Sequence, residues 1–215
     1  MKLITRASLI TLIKEKSTMT ILIIDNYDSF TYNIVQQVKS VNDRATETYF
    51  NDAISFDQIK AKSPNGIIIS PGPGHPARPG DFGVCREIIE RREELGCPIL
   101  GICLGHQGIA HMLGGKIEKA SEIVHGKVSR LKTVARSSLF KGIPQFFDAM
   151  RYHSLVVSQS DFPTDLTITA IEPGTQTIMA LEHQNYPLFG LQFHPESIGT
   201  ECGSQIMRNF SELCH

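Results

Sequence analysis

The segment Gly101-Ile-Cys103-Leu-Gly105 places a cysteine between two glycines, directly after an apolar run and before a helical pattern. This is the cysteine version of the nucleophile elbow, in which flanking glycines permit the sharp strand-to-helix turn that exposes the nucleophile. The unpaired N–H groups at the start of a helix favour the thiolate, which is the reactive form of the side chain. Cys103 is therefore a candidate for covalent catalysis, and a buried structural cysteine is the alternative interpretation.

A cysteine nucleophile needs a base, and the segment Phe193-His194-Pro195-Glu196-Ser197 offers one. Alternate residues of an extended chain point to the same side, so His194 and Glu196 can face one site. Glu196 would fix the tautomer of the imidazole, and His194 would take the thiol proton and give it to a leaving group. The alternative is an ordinary exit from a strand into a loop.

A third element is the loop Ser70-Pro-Gly72-Pro-Gly74, which follows another apolar run. Glycine has no Cβ, so backbone N–H groups of this loop can approach a ligand closely. Together with the N–H of Leu104, they can form an oxyanion hole for a tetrahedral intermediate. A rigid surface turn is the alternative.

Strands and helices must position these segments, and they alternate in the first half of the chain. Strands are predicted for residues 20–24, 46–50, 66–70 and 98–102. The intervening helical patterns are carried by Phe30, Ile34, Val38 and Val41, by the capping box Ser55-Phe-Asp-Gln58, and by Val84, Ile88 and Leu95. This alternation of near-continuous apolar strands with helices predicts a parallel sheet that is covered on both faces.

The second half of the chain has a different pattern, because several strand-like segments follow one another without helices between them. These segments are residues 127–134, 155–158, 166–170, 178–181 and 188–193, before a final helix at residues 204–213. The fold class is therefore predicted to be α/β, with an open, mainly parallel twisted sheet flanked by helices. A small antiparallel addition is expected in the C-terminal half.

Composition narrows the function classes. The chain has 215 residues, a formal net charge of −1 and 41% hydrophobic residues, which suits one globular domain. It shows no basic stripe for nucleic acid and no apolar run long enough to cross a membrane. Its five cysteines form no C-x-x-C pair, so neither a zinc ribbon nor a disulfide framework is predicted, and the cytoplasm is the expected compartment.

Taken together, the motifs resemble those of the class I, triad-type glutamine amidotransferases. More narrowly, the chain resembles the glutaminase subunit shared by anthranilate synthase and aminodeoxychorismate synthase. The matching segments, in the order of the family, are Asp25-Asn-Tyr-Asp-Ser-Phe-Thr-Tyr-Asn33, Ser70-Pro-Gly-Pro-Gly74, Gly101-Ile-Cys-Leu-Gly-His-Gln107, His125-Gly126-Lys127, Arg151-Tyr-His-Ser-Leu155 and Phe193-His-Pro-Glu-Ser197.

The resemblance implies roles for the matching residues. Cys103 would be the nucleophile, His194 its base and Glu196 the partner of the base. The N–H groups of Gly72 and Leu104 would hold the oxyanion. Glutamine would be bound by Gly72, Pro73, Gly74, Gln107, Ser154 and Leu155.

The resemblance also implies a substrate, a partner and a domain organisation. L-glutamine would be hydrolysed to glutamate, and the ammonia would pass to a chorismate-binding synthase subunit that makes 4-amino-4-deoxychorismate, anthranilate or both. The segment from Arg151 to Val157, with Asp81-Phe-Gly83 earlier in the chain, looks slightly closer to the aminodeoxychorismate type. No cofactor or metal is expected in this chain, whereas the partner is expected to use Mg²⁺. Residues 19–215 would form the amidotransferase domain, and residues 1–18 a disordered extension, with Met19 as an alternative start.

Two other functions fit the same residues. One is a partner-independent Cys-His-Glu hydrolase, such as a γ-glutamyl hydrolase or a peptidase, which would need no site for free glutamine. The other is a non-catalytic binding module, which the intact set of Cys103, His194 and Glu196 disfavours.

Overall fold

The computed structural model of the protein describes residues 19–41 and 44–214. The predicted extension at residues 1–18 lies outside the described residues. Within them, the strands are β1 (Thr20–Asp25), β2 (Ala45–Phe50), β3 (Gly66–Ile69), β4 (Ile99–Ile102), β5 (Ile117–Thr133), β6 (Phe146–Val157), β7 (Leu166–Ile171), β8 (Ile178–His183) and β9 (Leu188–Leu191). The α-helices are α1 (Thr31–Val41), α2 (Phe56–Lys62), α3 (Pro79–Phe82), α4 (Cys85–Glu90), α5 (Leu104–Met112) and α6 (Gly203–Leu213).

The nine strands of the described residues form one mixed sheet with the order β2-β1-β3-β4-β9-β8-β7-β5-β6. The pairs from β2 to β9 are parallel, and the pairs from β9 to β6 are antiparallel. Strand β9 therefore joins the two halves, although it is the last of these strands in the chain. This agrees with the predicted α/β class and mainly parallel first half.

Alternate side chains of the parallel strands enter two different cores, one on each face of the sheet. In β1, Ile21 and Ile23 pack with α1 and α6, whereas Leu22 and Ile24 pack with the face that carries α2, α4 and α5. All four side chains are fully buried. Each buried aliphatic side chain contributes roughly 1.5–3 kcal/mol, so these continuous apolar strands account for the stability of the layer that carries the elbow.

The antiparallel part is larger than predicted. The strands predicted at residues 127–134 and 155–158 are the ends of much longer strands, β5 with 17 residues and β6 with 12. Most of β5 is exposed, and its pairing with β6 is interrupted by irregularities before and after Val124 and His125. The apolar alternation on which a strand prediction depends is therefore missing from this segment.

The single helix predicted around Val84, Ile88 and Leu95 is also wrong. The structure has α3 and α4 there, followed by a 3₁₀ turn at Arg92–Glu94. Gly83 separates the two helices with φ of 45°, and a Cβ at this position would lie 2.3 Å from the Asn51 carbonyl oxygen. The N–H of Val84 donates to the same carbonyl at 2.9 Å, so contact with the end of β2 breaks the helix.

The capping box that opens α2 is confirmed. The Ser55 hydroxyl accepts from the Gln58 N–H at 3.3 Å, and the Gln58 side chain accepts from the Ser55 N–H at 2.9 Å. Ser55→Ala should lower the free energy of unfolding by about 1 kcal/mol, the usual value of an N-cap. Urea denaturation measures this, with Ser63→Ala at the end of the same helix as the control. A Ser55→Ala protein as stable as wild type would contradict the assigned cap.

No helix among the described residues is long and apolar enough to cross a membrane.

Candidate active site

Cys103 lies in the turn between β4 and α5, at the carboxyl end of the parallel strands. Its backbone adopts φ 51° and ψ −97°, a conformation that costs a residue with a side chain about 1–3 kcal/mol. The Cys103 N–H donates to the Leu191 carbonyl of β9 at 2.7 Å, which ties the strained turn to the neighbouring strand. A Cβ on Gly105 would lie 2.7 Å from the Ile69 carbonyl oxygen, so the turn requires glycine there.

His194 and Glu196 follow β9 and are in direct contact. The Nδ1 of His194 lies 2.6 Å from Oε1 of Glu196, and both side chains are almost completely buried. The carboxylate therefore holds the proton on Nδ1 and leaves Nε2 to face Cys103. Nε2 has no hydrogen-bond partner among the described residues, so it can interact with the thiol or with a ligand.

The charge state of His194 reflects a balance. Burial on its own lowers the pKa of His194, but the nearby Cys103 sulfur and the hydrogen bond to Glu196, together with the negative charges of both groups when they are ionised, raise it to about 10. The site thus favours an imidazolium when the sulfur is a thiolate, which is the state that can attack a carbonyl and then protonate a leaving group.

The loop of residues 70–74 lies against the elbow. A Cβ on Gly72 would meet the Asn26 carbonyl oxygen at 2.5 Å and the Leu104 side chain at 3.1 Å. Asn26 also donates through Nδ2 to the Ser70 carbonyl at 2.9 Å, and its Oδ1 accepts from Asn51 Nδ2 at 2.8 Å. This buried amide pair, which no local sequence pattern indicates, fixes the glycine loop beside the start of α5.

All the residues expected to bind glutamine border one cavity of about 190 Å³. Its lining consists of Gly72, Pro73, Gly74, Cys103, Gln107, Tyr152, His153, Ser154 and Leu155. A wider cavity of about 350 Å³ reaches Cys103 and His194 from the side of residues 27–30. The sulfur therefore lies at the boundary between a small polar pocket and a wider opening to the surface.

Two further histidines near the sulfur are held neutral. Burial lowers the pKa of His106 to about 3 and that of His153 to about 4. Arg151, itself buried, donates from Nε to Nε2 of His153 at 3.0 Å, which adds a positive charge against protonation. No group of three or more metal-ligating side chains occurs among the described residues.

Gln192 is a residue of this site that the sequence patterns did not predict. It is fully buried, its Nε2 lies 3.6 Å from Cys103 Sγ, and its Oε1 accepts from Gln107 Nε2 at 3.1 Å. Residues 188–193 were predicted as one apolar strand, so the polar side chain of Gln192 within this segment was not recognised as a site residue. The available signal was the same alternation that links His194 to Glu196, since Gln192 stands two residues before His194.

Comparison with known proteins shows which family this chain matches. The model of the family "Glutamine amidotransferase class-I" matches residues 22–213. The anthranilate synthase component 2 of Methanothermobacter thermautotrophicus is 46% identical over 200 residues, which cover 91% of this chain and all of that protein. The aminodeoxychorismate synthase of Streptomyces griseus is 43% identical, covering 91% of this chain and 26% of that protein.

The fold has solved relatives as well. A glutamine amidotransferase from Thermotoga maritima, whose crystal structure is known at 1.70 Å resolution, superposes with a TM-score of 0.69 and 16% identity. The match covers 83% of this chain and 76% of that one. On the sequence match over almost the whole described chain, this protein belongs to the class I glutamine amidotransferase family.

Proposed function

We propose that this chain is the glutaminase subunit of a synthase that aminates chorismate. The observation that carries the proposal is the junction at Cys103. The sulfur lies between the buried His194–Glu196 pair and a pocket bordered by Gln107, Ser154 and Leu155. An independent protease would need a long open groove for a polypeptide, whereas this pocket of about 190 Å³ suits one small polar molecule.

The geometry supports a two-step hydrolysis. The Cys103 thiolate attacks the side-chain carboxamide carbon of glutamine, and the N–H groups of Gly72 and Leu104 stabilise the oxyanion. The His194 imidazolium then protonates the departing nitrogen, so that ammonia leaves and a γ-glutamyl thioester remains on Cys103. His194, now neutral, takes a proton from water, which attacks the thioester and releases glutamate.

The ammonia needs a second protein to receive it. Three exposed apolar side chains border the openings on this side of the site, namely Tyr27, Phe30 and Ile198. Tyr27 stacks on Phe50, which is also exposed, with 4.5 Å between the ring centroids, so this rim is pre-ordered. A chorismate-binding partner that covers the rim would exclude water from the exit and collect the ammonia. We propose that the complex acts in the cytoplasm, that this chain uses no cofactor, and that Mg²⁺ belongs to the partner.

The test is glutaminase activity with and without a chorismate-binding partner, followed by identification of the aminated product. We expect glutamine hydrolysis to rise when the partner and chorismate are present, and chromatography to detect 4-amino-4-deoxychorismate, anthranilate or both. Partner-independent cleavage of γ-glutamyl peptides, with no response to a chorismate-binding partner, would contradict the proposal and favour the independent hydrolase.

The pH profile should reveal the coupling of His194 to Glu196. Because the pKa of His194 is raised to about 10, the imidazolium persists at neutral pH, and activity should fall only as the pH rises towards that value. Glu196→Gln removes a negative charge, so the alkaline limb of kcat/KM, which reports the free enzyme, should move to lower pH. An unchanged limb in Glu196→Gln would show that the carboxylate does not set the charge state of His194.

A further inference from the structure

The carboxamide of Gln192 touches the reacting sulfur from within the protein. Gln192 is 0% exposed, and its Nε2 lies 3.6 Å from Cys103 Sγ. This distance is suitable for an N–H donor to sulfur, whose radius is larger than that of oxygen. The contact joins residues that are 89 positions apart in the chain, so it depends on the pairing of β4 with β9.

The orientation of this amide is set by its other end. Gln107 Nε2 donates to Gln192 Oε1 at 3.1 Å and to the Leu155 carbonyl at 3.0 Å. If the Gln192 carboxamide were flipped, its NH₂ group would face the NH₂ group of Gln107 and its oxygen would face the sulfur. The hydrogen-bond network therefore leaves the NH₂ group of Gln192 directed at Cys103.

The backbone makes this donor rigid. The N–H of Gln192 donates to the Met179 carbonyl of β8 at 2.9 Å, immediately after β9 ends. The residues on either side, Leu191 and Phe193, are fully buried in the core that packs against α1 and α6. The amide is thus held in place before any ligand arrives, which is the condition for electrostatic stabilisation without reorganisation.

We propose that Gln192 is a catalytic hydrogen-bond donor to Cys103, which stabilises the thiolate before attack and again when the thioester is cleaved. A thiolate accepts such a bond strongly, whereas a thiol or thioester sulfur accepts it weakly. The donor therefore acts on both states in which the sulfur carries negative charge. Through Gln107 it also connects the nucleophile to the Leu155 carbonyl of the glutamine pocket.

The proposal rests on the proposed role of Cys103, but its test measures the thiolate directly. Iodoacetamide alkylates thiolates, and peptide mass mapping separates Cys103 from the other four cysteines. The experiment needs neither glutamine nor a partner chain. A protein that lacked glutaminase activity would still report on Gln192, so the two proposals can fail separately.

The variant is Gln192→Met, which keeps the length of the side chain and removes the donor. We expect the midpoint of the Cys103 alkylation profile to rise by about one pH unit, so that alkylation at pH values below both midpoints becomes about tenfold slower. The control is Asn209→Leu, which removes another buried amide, the one that donates to the Leu139 and Lys141 carbonyls away from the site. An unchanged midpoint in folded Gln192→Met, or an equal shift in Asn209→Leu, would overturn the proposal.

Other titratable groups border the sulfur. They are His194 with its partner Glu196, Tyr27, Asp28, His125 and Tyr152 at the wider opening, and His153 at the pocket. All of them are retained in Gln192→Met, so the difference between the variant and wild type isolates the amide.

A second measurement needs no substitution in the core. In the wild-type chain, the side-chain N–H signals of Gln192 should move with pH at the same midpoint as alkylation of Cys103. They should cease to move in Cys103→Ala. Gln192 signals that do not respond to pH around the alkylation midpoint would refute the contact, even if Gln192→Met failed to fold.

Discussion

Cys103→Ser should lower glutamine-dependent product formation by at least about 10³-fold, while product formation from added ammonium salts stays close to that of wild type. A serine hydroxyl is far less acidic than a thiol, and it would have to lose its proton to the same His194. When catalytic residues act together, removal of any one of them abolishes most of the rate enhancement that they provide as a set. The measurement is the rate of amine formation by the complex, with glutamine or with ammonium as the nitrogen source.

The ammonium arm of this experiment serves as the control. It shows that the partner is folded, bound and active, so that a loss restricted to glutamine belongs to the sulfur. Another buried cysteine, Cys214, provides a matched variant, because its thiol donates to the Phe210 carbonyl oxygen at 3.4 Å and does not border the pocket. Cys214→Ser should retain glutamine use. Glutamine use by Cys103→Ser at the wild-type rate would contradict the mechanism.

His194→Asn should reduce kcat for glutamine by about 10²–10⁴-fold, the usual contribution of a positioned acid and base. Asparagine fits within the space of the imidazole and can still donate towards Glu196, but it cannot exchange a proton with the sulfur or with ammonia. The measurement is steady-state glutamate release over a range of glutamine concentrations. KM should change little, because His194 does not border the pocket that is expected to hold glutamine.

His153→Asn provides the contrast to His194→Asn. His153 is buried and neutral, and it lies at the glutamine pocket next to Ser154. We expect its substitution to act mainly on KM, with a smaller change in kcat. If the two variants showed the same pattern, the assignment of His194 as the acid and base would be wrong.

The parallel half of the fold was predictable because its strands are apolar at consecutive positions and its helices have clear periodicity. The elbow, the glycine loop and the alternation of His194 with Glu196 are local patterns, so their positions follow from the sequence. The antiparallel half was less predictable. Along β6 the buried positions include Arg151 and His153, so burial there does not follow hydrophobicity.

Long-range polar contacts could not be predicted at all. Asn26 meets Asn51 and Ser70, and Gln192 meets Gln107, through partners 25 to 85 positions away. Nothing in the local sequence of an asparagine or glutamine indicates which distant amide it will contact. Such contacts become visible only when the order of the strands is known.

The position of β9 in the middle of the sheet has a consequence for synthesis on the ribosome. Cys103 is translated near the middle of the chain, whereas the strand that anchors its N–H and leads to Gln192 and His194 is the last of the described strands to emerge. A nascent or prematurely ended chain that lacks β9 cannot complete the site, because long-range pairing must close after most of the chain exists. Incomplete products that lack β9 would therefore have no complete glutaminase site.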